Sequence, residues 1–152
     1  MGQIRKTVSE FIEDTPLSAV GPEDSIAAAI EVMKRDQSDC VVVLDAGMIV
    51  GIFTERDFLN RVTAARRDPA ETKMKSAMTP NPEVLRTYDC ISYAINRMAV
   101  GGFRNVPIIG EQGKPIAVLS VRDVVSHLSE LFDEVSPVRE PSRSAWVDIG
   151  GG

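Results

Sequence analysis

Apolar and polar positions along this chain change their period several times, and the changes come round twice. In SIAAAIEVMKRD, residues 25 to 36, Ile26, Ala29, Ile30 and Met33 recur at helical spacing behind Asp24 or Ser25, either of which would cap the helix. CVVVLDAGMIVGIFT, residues 40 to 54, is two β-branched runs around Asp45-Ala46-Gly47, a hairpin signal. NVPIIGEQGKPIAVLS, residues 105 to 120, has the same design with a longer turn from Gly110 to Lys114. After Thr54, Phe58, Leu59 and Val62 mark one helical face; after Ser120, Val124, Val125, Leu128 and Leu131 do the same.

Laying residues 24 to 57 over 89 to 123 turns this recurrence into a duplication. Asp24 meets Asp89, Ile26 meets Ile91, Ala29 meets Ala94 and Met33 meets Met98. The second copy gains one residue at its turn, after which Gly47 meets Gly113, Thr54 meets Ser120, Arg56 meets Arg122 and Asp57 meets Asp123. Each copy reads strand, helix, strand, strand, helix. The expected fold class is therefore α/β (α+β): two tandem β-α-β-β-α repeats packed about a pseudo-two-fold axis. A single copy supplies one thin sheet layer and two amphipathic helices, so the copies need each other's apolar faces. Their seam would form paired clefts.

The expected boundaries are 1–66 for the first repeat with a short N-terminal helix, 67–78 for a linker, 79–133 for the second repeat and 134–152 for a tail. The linker is polar and proline-bearing, with a short helical turn expected around Lys73 to Met78. The tail has no periodicity, and its lone Trp146 suits a groove on this molecule or a neighbour.

Composition narrows the function. With 152 residues, 43% apolar and 26% charged, the chain is an ordinary globular protein. A net charge of −5 argues against general nucleic-acid binding, which calls for a basic face. No stretch approaches the roughly 20 apolar residues of a membrane span. The start MGQIRK lacks a signal-peptide core, and Lys6 breaks the myristoylation pattern. Cys40 and Cys90 are too few for a disulfide framework and have no metal spacing. A cytoplasmic location without membrane or nucleic-acid partners is expected. No GxSxG, HExxH or P-loop is present, and His127 sits within an amphipathic helix as an ordinary surface imidazole. The expectation is that the chain is not an enzyme and has no catalytic or metal site.

GIFTERD, residues 51 to 57, and AVLSVRD, 117 to 123, close the two copies. A hydroxyl residue three places before a carboxylate is the capping-box pattern, worth about 1 kcal/mol. The same geometry offers helix N–H groups to an anion and a carboxylate to the two hydroxyls of a ribose. Both readings stand for Thr54 with Asp57 and for Ser120 with Asp123. Arg104 in the second copy overlays Asp39 in the first. A guanidinium forks onto phosphate oxygens where a carboxylate repels them, so unequal clefts are expected, the tighter one holding Arg104 with Asp57. Arg56 and Arg122 could also reach phosphates, or could simply face solvent.

The duplicated order, together with FRNVPI at 103 to 108, MTPNP at 78 to 82 and TPLSAVGPEDSIAAAIEVM at 15 to 33, resembles a tandem pair of cystathionine-β-synthase (CBS) domains, the Bateman module. The likeness spans residues 8 to 132 and is that of a stand-alone member. It implies a regulatory module binding adenine-containing ligands such as AMP, ADP, ATP, NAD or S-adenosylmethionine between the repeats. It also implies a homodimer acting on a regulated partner that the sequence does not name. It places walls for the base at Val41, Val42, Val106, Pro107 and Ile108, with Thr15, Pro16, Thr79 and Pro80 at the entrances. Each of these could equally be core strand or turn. The first copy has Val42 where the second has Pro107, a departure from the commoner pattern. The competing reading is an interaction module whose clefts are vestigial.

Overall fold

The computed structural model describes residues 5–14 and 16–135, with side chains to 130. Thr15, Trp146 and the tail from 136 lie outside the described residues. The first copy runs β1 (Ala19–Val20), α1 (Ile26–Asp36), β2 (Cys40–Asp45), β3 (Met48–Thr54) and α2 (Glu55–Asp57), which continues as a π-helical stretch, Phe58–Thr63. A short β4 (Thr79–Pro80) follows. The second copy runs β5 (Leu85–Arg86), α3 (Ile91–Gly101), β6 (Asn105–Ile109), β7 (Pro115–Ser120) and α4 (Val121–Val135). The α/β class and the duplicated order are as the pattern predicts.

Local chemistry sets the element ends. Ser25 caps α1 by accepting from the Ala28 amide at 3.1 Å, and Asp24 instead accepts from the Gly21 amide at 2.7 Å. Asp89 repeats the second contact on Arg86 at 2.7 Å. Both helices stop on a left-handed residue, Gln37 (φ 51) and Gly102 (φ 70). In the first hairpin Ala46 (φ 49) and Gly47 (φ 78) are both left-handed, the type I′ geometry that joins two strands with two residues.

The strands form two sheets, ordered β1-β2-β3-β4 and β5-β6-β7. In each, the first pair is parallel and the next antiparallel. One core lies under each sheet. The first joins Ile26, Ala29, Met33, Val41, Val43 and Phe53; the second joins Ile91, Ala94, Met98, Val106, Ile108 and Leu119.

The cores are cross-laced. Val8 and Phe11, which the sequence groups with the first repeat, are buried in the second core. Met74 and Ala77, in the segment expected as linker, are fully buried in the first. The backbone repeats the exchange in register. The Val8 amide donates to Asp89 O at 2.8 Å and the Ile91 amide to Lys6 O at 2.9 Å. The Met74 amide donates to Asp24 O at 2.8 Å and the Ile26 amide to Thr72 O at 2.9 Å. The N-terminal segment therefore completes the second core and the segment around Met74 the first, so the chain crosses the seam twice, after Ile12 and after Met78.

The helical face expected after Thr54 holds only in part. Val62 is buried and Phe58 half-buried, but Leu59 is 59% exposed. Beyond it the helix widens into a π-turn, where the Ala64 amide bonds back to Leu59 and the Arg67 amide to Val62, five residues each. In α4, Val124 is buried while Val125 is also 59% exposed.

Candidate functional site

The capping boxes form in both copies. The Asp57 amide donates to Thr54 Oγ1 at 3.2 Å, and the Thr54 amide donates to Asp57 Oδ2 at 3.1 Å. The Asp123 amide donates to Ser120 Oγ at 3.0 Å, and the Ser120 amide to Asp123 Oδ2 at 2.9 Å. The first helical amides are committed too. Glu55 N–H donates to Asp39 O at 3.1 Å and Val121 N–H to Arg104 O at 2.9 Å. Two of the N–H groups that an anion would use at each helix start are thus already engaged within the protein.

These four residues line two clefts at the seam. The first, of about 360 Å³, brings together Thr54, Arg56, Asp57, Thr79, Arg104 and Asp39. The second, of about 930 Å³, brings together Ser120, Arg122, Asp123, Pro16, Arg104 and Asp39. Both volumes fall in the roughly 300–1,000 Å³ range of small-molecule sites. Each cleft takes its capping box from one copy and its opposite wall from the other. The crossing segments supply the floor: Thr79, Pro82 and Glu83 for the first cleft, Pro16, Leu17 and Ser18 for the second.

Arg104 and Asp39 stand together on the wall shared by both clefts, so their opposite charges do not sort into one cleft each, as the register alone suggests. Asn105 Nδ2 reaches Asp39 Oδ2 at 3.5 Å across the seam.

Several residues expected at the base wall are elsewhere. Val41, Val106 and Ile108 belong to the helix-covered cores and line neither cleft. Strand alternation is the reason: the cleft-lining Ile52 and Val118 pair with Val42 and Pro107, which puts Val41 and Val106 on the opposite faces. Val42 and Pro107 share the cleft-side face, yet they are buried and line neither cavity. Pro80 is exposed: it pairs with Gly51, while Thr79, opposite Ile52, turns into the cleft.

Other lining residues escaped the sequence reading. Glu83 stands in the first cleft, gripped by Arg97 through Nε to Oε1 and through Nη2 to Oε2 at 2.9 Å. That guanidinium holds its carboxyl below the usual range. Asp36 lines the second cleft, its pKa lowered by Arg35 and then by the Ser18 hydroxyl at 2.8 Å. Burial, and then the Asp39 charge, pushes the Cys40 thiol up to about 12. The register could have found one group: Asp36 to Asp39 overlays Gly101 to Arg104, the turn after each first helix. Among the described residues no cluster of His, Cys, Asp and Glu has the make-up of a metal site. No helix among them is long and apolar enough to cross a membrane.

Duplicated capping boxes facing two inter-repeat clefts define a tandem α/β module built around shared small-molecule-sized cavities. The CBS domain family model matches residues 8–64 and 74–130. The chain belongs to the CBS domain family, as a domain pair. It is 35% identical over 118 residues to the CBS domain-containing protein CBSCBSPB1 of Arabidopsis thaliana, covering 77% of this chain and 22% of that protein. It thus spans about a fifth of the length of that relative. Among solved structures it is similar to the CBS-domain containing protein ATU1752 from Agrobacterium tumefaciens, with 29% identity, a TM-score of 0.72 and coverage of 80% of this chain and 98% of that one. CBSX2 in complex with AMP has the same fold at 24% identity and a TM-score of 0.70, covering 83% and 98%.

Proposed function

We propose that this chain is a regulatory module that binds an adenine nucleotide, of the AMP, ADP, ATP or NAD type, between its repeats and answers by changing the repeats' relative angle. The observation that carries this reading is the placement of Asp57 and Asp123. Each stands in a cleft with one carboxylate oxygen committed to its capping box and the other not used there. A carboxylate so held is oriented to accept ribose hydroxyls. Thr54 and Ser120 keep the helix start in place, while Arg104, Arg56 and Arg122 supply cations for phosphate. The family membership and the AMP complex of a protein with the same fold support the choice of ligand. The reading is of a cytoplasmic sensor, not an enzyme.

A ligand that touches both repeats shifts their arrangement by as much as it prefers one arrangement over the other. A second copy of the chain is the proposed means of passing this on. Leu59 and Val125 are equivalent in the two copies and equally exposed, which offers two apolar points related by the pseudo-two-fold axis. One observation favours the competing reading of an interaction module with vestigial clefts: both carboxylates already have a structural task as caps. A thermal-shift panel of AMP, ADP, ATP, NAD and S-adenosylmethionine separates the two. A true ligand at 100 times its dissociation constant adds about 2.7 kcal/mol; silence across the panel leaves the interaction module.

A further inference from the structure

Arg61 stands one helical turn beyond Asp57 and touches two things at once. Its Nε lies 3.8 Å from Asp57 Oδ1, the carboxylate oxygen that the capping box does not use. Its Nη1 donates to Ala77 O at 3.2 Å and to Met78 O at 2.6 Å. Those carbonyls belong to the segment that leaves the first core, crosses the seam and enters the second copy as β5. The next residue, Thr79, lines the first cleft. A planar guanidinium, with five donors in a fixed fork, spans a carboxylate and two carbonyls from separate nitrogens, whereas an ammonium must aim three donors from one point.

Among the described residues the other copy shows no such ion pair. His127 occupies the equivalent place, with Nδ1 2.8 Å from the Asp123 carbonyl oxygen and its ring 5.1 Å from Phe11, which precedes the other crossing in the second core. One crossing is tied to its cleft carboxylate by charge; before the other, the contact is ring against ring.

Resting on the nucleotide reading above, we propose that Arg61 is a positioning residue that couples occupancy of the first cleft to the 77–83 crossing segment. Arg61 does not line the cleft and is not a ligand contact. It aims Asp57 Oδ1 and fixes the carbonyls that place Thr79, so ligand hydroxyls on Asp57 tighten the crossing. The second cleft lacks this coupling.

The test uses the full chain with AMP as probe, comparing wild type, Arg61→Gln, Arg61→Lys and His127→Gln by calorimetry and by amide exchange of residues 77–83. Losing a charge-assisted contact to the carboxylate should weaken AMP binding by about tenfold in Arg61→Gln, with Arg61→Lys in between. Saturating AMP should slow exchange of 77–83 in wild type and His127→Gln but not in Arg61→Gln. A merely structural arginine predicts the opposite at saturation, full protection once the site is filled, and that result overturns the proposal. If Arg61→Gln does not fold, Arg61→Lys decides: wild-type affinity together with wild-type protection overturns it. The same comparison is run with ADP, ATP and NAD as probes; wild type that binds none of the four overturns the nucleotide reading itself, and this inference falls with it.

Discussion

Met78 lies across the bare backbone of Gly51: a Cβ built there would stand 2.3 Å from the Met78 sulfur and 3.1 Å from the Thr79 carbonyl oxygen. This approach lets β4 pair with β3 and carries Thr79 to the first cleft. Gly51→Ala should force the strand edge outward and destabilise the protein by about 1–3 kcal/mol, the usual cost of overpacking. The measurement is a urea midpoint at unchanged slope. A midpoint equal to wild type would mean that the methionine swings away freely.

The two tasks of Asp57 separate by substitution. Thr54→Ala removes the cap acceptor for the Asp57 amide and should cost about 1 kcal/mol of stability. Asp57→Asn keeps an oxygen for the Thr54 amide but loses the charge, so stability should move less. AMP affinity should then fall by about tenfold, near 1.4 kcal/mol. Calorimetry and denaturation on the same two variants read both quantities. Intact AMP binding in Asp57→Asn leaves the motif with its capping role alone.

The duplication was legible because matched residues keep one register over both copies, and the caps and the Ala46-Gly47 turn were legible because their chemistry is local. The cross-laced cores were not. Val8, Phe11, Met74 and Ala77 sit in short segments without a period, and nothing local tells which remote core they complete. The split of the valine wall between two faces was hidden for a related reason. Alternation divides Val41 from Val42 but does not say which face meets the helices and which meets the other repeat. The cleft carboxylates Asp36, at the last position of α1, and Glu83, in irregular backbone, lie where the apolar pattern is silent, and for Asp36 only the register could have pointed.

Glu23 predicts a pH dependence. It accepts from Lys73 Nζ at 2.6 Å and Lys75 Nζ at 2.5 Å, and those hydrogen bonds push its carboxyl down to about 2 from an ordinary 4.5. A depressed carboxyl contributes stability that is complete above its unfolded value and is lost as pH falls through the folded one. Glu23→Gln should therefore melt below wild type at pH 6, with the gap closing between 4.5 and 2. All three side chains are more than half exposed, so the gap should be small and should shrink in 1 M salt. A gap that survives at pH 2 would have to come from packing.

The chain's two thiols should differ sharply in reactivity. Cys40 is 3% exposed, and burial raises its pKa to about 12, which leaves about one thiolate in ten thousand at pH 8. Cys90 is exposed, and its hydrogen bond with Ser92 Oγ at 3.0 Å lowers its pKa. The thiolate is the nucleophile, so an alkylating reagent at pH 8 should modify Cys90 first and Cys40 only as fast as the protein opens. Peptide mass spectrometry over time resolves the two sites, and Cys90→Ser should abolish the fast phase. Cys40 heads β2 and lines the second cleft, so its slow phase reports opening of the seam. A ligand that closes that seam should slow Cys40 labelling further and leave Cys90 unchanged; equal rates at the two thiols in the native protein would contradict the burial of Cys40.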